Sequence, residues 1–454
     1  MDVIVKLINI ELFDGIIRFN IYLLMLNIFL ILCFFASWYL SYRKTGWKVD
    51  FYYFSFFMAF IPSVFIMYPF NASKFNIISM GAAYCKVEPF VNLAYLITIV
   101  GIIFFILGNI LFNTIKTDKL IFPIKAICNP IERMIRYNIN NKFGLRFFSI
   151  AFLTILLLFL CFQIHSGYLG DPRSFFMKNI EYRPIGNAIL SIYPIIFIFL
   201  SLRYMQYKNR LDFILLIALF LLSFCLGTRS AIFFPFVTSI AFFIFKNRGK
   251  INLIKLFSIL FFILCLFMLI GNARVNNFSI FDGFLKKIFY GNNFSDTRDF
   301  AWILAYWNFE YVYGKTYLSG IMSFIPSFLS DFRLEWSLSR YTNTFVGFDS
   351  SIHPGLRPGK FGEVFLNFGI AGVALFGFIY GYILSYTNFK LKRIIIENGD
   401  IIKAYSYTFT FTFIGYFAIT AGFFELYIFI FFNILLYIFN YIVNSYRVVK
   451  NDIH

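Results

Sequence analysis

The chain has 454 residues, 60% of them hydrophobic and 14% charged, with a mean hydropathy of +0.76. Soluble domains carry roughly 45–50% apolar and about 25% charged residues, so these figures exclude a soluble globular domain and indicate a polytopic membrane protein. The net charge of +18 does not mark a nucleic-acid binder: the basic residues lie in short loops between apolar runs, where membrane insertion and anionic lipid favour them.

In chain order, Met1–Asn20 mixes apolar and charged residues without a cleavable signal. It reads as an amphipathic start lying along the surface or adding a partial span. A hydrocarbon core of about 30 Å needs roughly 20 apolar residues in a helix. That ruler predicts an all-α fold of about eleven (10–12) transmembrane helices in a single polytopic domain, 1–454. The first five are Ile21–Leu40, Phe51–Tyr68, Val91–Phe112, Phe147–Gln163 and Ala188–Leu202. The next three are Leu211–Leu226, Ala231–Phe245 and Leu256–Ile270. The last three are Val364–Tyr386, Ile402–Ala421 and Phe424–Tyr441.

Lys and Arg set the orientation. The connectors Ser41–Asp50 and Asn113–Arg146, the short loops around Lys208 and Arg248, the Lys390–Arg393 run and the tail are basic, and they alternate with mixed-charge loops. One topology satisfies them all and puts the C-terminus in the cytoplasm. Two external connectors then stand out. Gly167–Gly186 carries Arg173 and Arg183; the segment 271–362 is the large external loop, read as short amphipathic helices on the membrane face. Within it, apolar residues at helical spacing over Phe300–Tyr313 follow Ser295 and Asp296, which suit an N-cap. The six cysteines offer no external disulfide pair, since only Cys85 falls in a predicted external loop. The 69 Phe residues, with abundant Ile, Asn and Lys, are the set that AT-rich codons specify, and call for no aromatic cage.

Ionisable residues near lipid are costly and ask for a functional reason. The densest group runs from Asp349 to Gly372 and holds His353, Arg357, Lys360 and Glu363 among Pro354, Gly355, Pro358, Gly359 and Gly362. Such an irregular backbone is tolerated at membrane depth where it lines a cavity or is buried in protein. His353 can take a proton from a hydroxyl or orient it, and Glu363 can act as a base or meet a helix N-terminal dipole. Arg357 and Lys360 can hold an anionic head group or serve as interfacial cations. Arg229, in Gly227-Thr228-Arg229-Ser230, sits at a turn so short that it meets the membrane edge, where its planar fork suits phosphate oxygens or caps a helix. Arg274 and Arg298 are the loop cations singled out as candidate substrate contacts. No metal-ligand cluster and no cofactor motif is visible.

Three features resemble the bacterial O-antigen polymerases, the Wzy-type oligosaccharide repeat-unit polymerases. They are Gly227-Thr228-Arg229-Ser230 opening a span; Tyr313-Gly314-Lys315-Thr316-Tyr317 followed by Ile325-Pro326; and His353-Pro354 followed by Gly362-Glu363, Asn367-Phe368-Gly369 and Gly372. A pair of external loops each carrying Arg-Gly at the spacing of some family members is absent. The resemblance implies a glycosyltransferase at the periplasmic face of the inner membrane. It would move the glycan from undecaprenyl pyrophosphate onto a lipid-linked repeat unit, for lipopolysaccharide or another surface polysaccharide. His353 would be the first choice of base and Glu363 the second. Arg229, Arg274, Arg298, Arg357 and Lys360 would hold the pyrophosphate and glycan, without metal or cofactor. A flippase and a chain-length regulator of the same pathway would be partners. The competing readings are a flippase or transporter of the lipid-linked unit and an O-antigen ligase.

Overall fold

The computed structural model describes residues 7–12, 15–71, 81–116, 122–167, 183–223, 229–252, 254–255, 258, 261–262, 295–326, 329–348, 355–417 and 419–452. It opens with an antiparallel hairpin, β1 (Leu7–Leu12) and β2 (Gly15–Asn20), in which Leu12 pairs with Gly15 and Leu7 with Asn20. The hairpin departs from the all-α expectation in the described part of Met1–Asn20. Ile8, Ile10, Ile16 and Ile17 are β-branched, which favours pairing over a helix.

The remaining elements are helical. α1 (Ile21–Thr45) starts where the Asn20 side chain accepts from the N–H groups of Tyr22 and Leu23, and stops at Gly46 with φ 73°. α2 (Phe51–Phe60) is capped by Asp50 and runs through a π-helical turn (Ile61–Ile66) into the short α3 (Tyr68–Asn71). Then come α4 (Gly81–Ile115), α5 (Phe122–Asn140), α6 (Lys142–His165), α7 (Arg183–Tyr207), α8 (Arg210–Ser223) and α9 (Arg229–Lys246). The segment read as the large external loop contributes α10 (Asp296–Tyr306), α11 (Lys315–Ile321), α12 (Asp331–Trp336) and α13 (Leu338–Val346). α14 (Gly359–Asn398), α15 (Ile401–Tyr416) and α16 (Phe423–Asp452) complete the chain.

Among the described residues, seven helices are long and apolar enough to cross a membrane, as a helical membrane protein requires. They correspond to the predicted spans beginning at Ile21, Phe51, Val91, Phe147, Ala188, Val364 and Phe424. Of the other four predicted spans, three meet the shorter helices α8, α9 and α15. The fourth, Leu256–Ile270, falls mostly outside the described residues. α10 also differs from its expectation. It is not a surface amphipathic helix, because its residues from Thr297 to Ala305, Asp299 apart, are all buried. Its N-cap is Ser295, as the sequence suggests.

Contacts divide the chain into two units. The first comprises Met1–Asp118, Phe281–Tyr386 and Thr412–Phe424. Its spine is the close approach of α4 to α14. A Cβ on Gly381 would lie 1.9 Å from the Phe105 carbonyl oxygen, one on Gly108 2.2 Å from that of Phe378, and one on Gly377 2.6 Å from that of Gly101. Glycine lets backbones touch where lipid offers no hydrophobic drive to helix pairing. Phe361 stacks on Phe60 with ring centroids 6.0 Å apart and seats the head of α14 against α2.

The second unit comprises Lys119–Ile280, Thr387–Phe411 and Glu425–His454. Here Asp212, fully buried, takes Arg146 at 2.7 Å and Arg203 at 3.1 Å. Arg203 also donates to the carbonyls of Ile139 and Asn140, satisfying the C-terminal end of α5. α5 is itself a difference from the sequence reading, since it occupies the basic connector Asn113–Arg146. Its buried Asn138 donates to the carbonyl and side-chain oxygens of Asn433 on α16.

Candidate functional site

α14 is not continuous. Gly369 adopts φ 65° and ψ −161°, a conformation in effect reserved for glycine, and splits the helix. The break releases the carbonyls of Leu366 and Asn367, which an unbroken helix would pair with residues 370 and 371. The N–H groups of Val312 and Tyr313 take them at 3.1 and 3.2 Å, and Gly314 donates to the Asn367 side-chain oxygen at 2.9 Å. Tyr313 and Gly314 reach these partners through positive φ values of 45° and 86°. Broken helices persist in membranes when protein groups satisfy the freed backbone. Two of the three sequence motifs, Tyr313–Tyr317 and Gly362–Gly369, are thus stitched together.

Lys360, Glu363 and Asn367 are spaced three and four residues apart, so they share one face of the first segment of α14. Glu363 is 1% exposed, and both carboxylate oxygens are occupied. Thr316 donates to one at 2.9 Å; the Thr420 hydroxyl and the Ala421 N–H donate to the other at 3.0 and 2.9 Å. Asn367 donates to the Thr316 oxygen at 2.7 Å, which aims the Thr316 proton at Glu363, and to the Glu363 carbonyl at 2.8 Å. A buried carboxyl is costly without donors. Three of them explain how Glu363 is accommodated, and they tie α11, α14 and the chain after α15 to one point.

Above this knot opens a pocket of about 540 Å³. Arg333, Arg357 and Lys360 bring positive charge to its lining, Asp296 and Glu363 negative charge, and Ser319, Ser323, Ser337, Ser339, Thr420 and Tyr416 hydroxyls. The cations differ in how far they are already matched. Arg357 is tied to the head of α10, with Asp296 at 3.6 Å, Asp299 at 3.5 Å and the Ser295 hydroxyl accepting at 2.9 Å. Lys360 donates to the Tyr416 hydroxyl, at 3.4 Å, and lies over that ring. Among the described residues no carboxylate lies within 4.0 Å of it. Arg333 likewise has no ion-pair partner there, and burial lowers the pKa of its guanidinium. Its neighbours in sequence, Asp331 and Glu335, are exposed.

The sequence candidates thus part company. Glu363, Lys360 and Arg357 meet in the pocket, the last as a strap. Arg298 does not line it. That side chain is 5% exposed within α10, 3.9 Å from Asp299, and burial lowers the Arg298 pKa and raises the Asp299 pKa. Arg229 opens α9 in the second unit, and its side chain, like Arg274 and His353, lies outside the described residues. Sequence reasoning missed Tyr416 and did not single out Arg333 or Thr316. Arg333 sits between two acidic residues and reads as locally paired; only tertiary placement shows otherwise. Thr316 was inside a quoted motif, but its role was not legible. Comparison of the chain with protein-family models, curated proteins and solved structures gives no match.

Proposed function

We propose that this chain is a membrane glycosyltransferase that polymerises surface polysaccharide, taking glycan from undecaprenyl pyrophosphate onto a lipid-linked repeat unit. The observation that carries this reading is the pocket at the head of α14. It combines two cations, Arg333 and Lys360, that have no carboxylate within 4.0 Å among the described residues with a hydroxyl-rich lining. Such a lining suits a ligand that is both anionic and polyhydroxylated, as a glycan diphosphate is. In this reading eleven spans put the pocket at the periplasmic face of the inner membrane, with the C-terminus in the cytoplasm.

The acceptor hydroxyl oxygen bonds to the anomeric carbon while the carbon–oxygen bond to pyrophosphate breaks, and the departing oxygen keeps the electron pair. Preorganised cations lower the barrier by meeting that charge where it develops; in this reading Arg333 and Lys360 do so. The hydroxyl proton passes to a base, for which His353 remains the first candidate. Glu363, already accepting three hydrogen bonds, serves as the positioning residue for Thr316 and Thr420.

The test is complementation of a polymerase-null strain, read as a glycan ladder. Lys360→Ala and Arg333→Ala, each confirmed in the membrane, are expected to reduce polymer synthesis by about 10²–10³. Full-length ladders from both would overturn the assignment of the pocket. The null phenotype decides the class: single repeat units on core support a polymerase, accumulated lipid-linked polymer indicates a ligase, and units trapped on the cytoplasmic side indicate a flippase.

A further inference from the structure

The second unit contains a separate groove of about 500 Å³ where α5 meets α16, lined by Pro130, Arg133, Met134, Tyr137 and Tyr437. Its cation is exposed, and among the described residues Arg133 has no ion-pair or hydrogen-bond partner. The next arginine on the helix is different: Arg136 is matched by Asp400 at 3.1 Å. The groove is built rather than incidental. The Tyr137 and Tyr437 rings pack with centroids 5.0 Å apart, and Asn444 donates to the Tyr137 hydroxyl at 3.1 Å, fixing that ring. One side continues onto an apolar strip of α16, where Ile434, Tyr437, Ile438 and Tyr441 are exposed along a helix suited to crossing the bilayer.

We propose that this groove is a binding site for an anionic glycerophospholipid. The phosphate meets the Arg133 fork, the glycerol and ester region lies against the two tyrosines, and an acyl chain follows the outer strip of α16. Three features converge on this occupant. Glu132, next to Arg133 in sequence, feels the Arg133 charge but makes no ion pair within 4.0 Å of it, so the guanidinium fork is open to an anion and suits phosphate bidentately. Tyrosines favour the headgroup level, with an apolar body and a polar tip. The apolar strip runs from the groove along a membrane helix, which a soluble anion would leave uncovered. The proposal does not depend on the function assigned to the other pocket.

The experiment uses the full chain purified in detergent. Native mass spectrometry would titrate dioleoyl phosphatidylglycerol against dioleoyl phosphatidylcholine. The wild type is expected to bind the anionic lipid at least five-fold more tightly, the ratio equivalent to the ~1 kcal/mol of one basic residue near an anionic lipid surface. Arg133→Ala should abolish that preference, Arg133→Lys should keep part of it, and Tyr437→Ala should weaken both lipids. Arg43→Ala, at the end of α1 in the other unit, removes the same charge and should change nothing. Unaltered preference in Arg133→Ala would overturn the site, and so would equal losses in Arg133→Ala and Arg43→Ala, since diffuse charge would then be responsible. If Arg133→Ala does not yield monodisperse protein, Arg133→Lys decides: its preference must fall below the wild-type value. Loss of the preference in millimolar inorganic phosphate would mark a free-anion site and refute the lipid.

Discussion

Replacing Gly369 by alanine tests whether the break in α14 is fixed by its backbone. At φ 65° and ψ −161° an L residue is strained by about 1–3 kcal/mol. The added Cβ would also lie 3.1 Å from Cζ and Oη of Tyr311. That ring is partly exposed and can shift by a few tenths of an ångström, adding up to ~1 kcal/mol. The sum is about 1–4 kcal/mol. Straightening the helix is no escape, because it would reclaim the Leu366 and Asn367 carbonyls and strand the N–H groups of Val312 and Tyr313, at about 1–3 kcal/mol for the buried Val312. Gly422→Ala is the control, since nothing lies within 4 Å of its Cβ position. Equilibrium unfolding in mixed micelles, followed by fluorescence of the buried Trp302 and Trp307, measures both variants. A Gly369→Ala protein within about 0.5 kcal/mol of the control would refute the reasoning, because the strain alone exceeds that.

Glu363→Ala and Thr316→Val should each destabilise, and a double-mutant cycle in the same micelles should give a coupling of about 1.5–3 kcal/mol, the range for a hydrogen bond to a charged group; additive effects would mean that Thr316 does not hold the carboxylate. Gly381→Ala forces a Cβ against the Phe105 carbonyl, which cannot yield as a side chain can, so a loss of about 3 kcal/mol or failure to recover monodisperse protein is expected. Wild-type stability in that variant would argue against the close approach of α4 and α14. Burial pushes the Cys128 thiol up to about 12. In a variant retaining only this cysteine, maleimide labelling at pH 8 should run about 10³-fold slower in the native protein than after denaturation, because the thiolate is the reactive form. Comparable rates would place Cys128 outside the core.

Much of the candidate site was legible because its ingredients are local. Pro354, Gly355, Pro358 and Gly359 crowd ahead of an apolar run, and no ordinary helix start needs so many chain-bending residues beside so much charge. That put Arg357, Lys360 and Glu363 under suspicion, and all three line the same pocket. The roles were not legible, because a charge is defined by its partner. Arg357 is matched by Asp296 and Asp299, about sixty residues upstream, while Arg333, flanked by two acids, has no ion-pair partner among the described residues. Arg298 stood among the loop cations, yet α10 buries it beside Asp299.

Two kinds of information therefore separate in this protein. Hydropathy sums over about twenty consecutive residues and needs no partner, so the sequence alone determined that the chain is a helical membrane protein, where its longest apolar helices run, and that Ser295 marks a helix start. Tertiary structure alone decided that Gly369 breaks α14, that Val312 and Tyr313 repair the break, and that Glu363 is clamped by Thr316, Thr420 and Ala421. Those bonds join residues some fifty positions apart, and no local pattern of polarity records which distant donor will meet which acceptor.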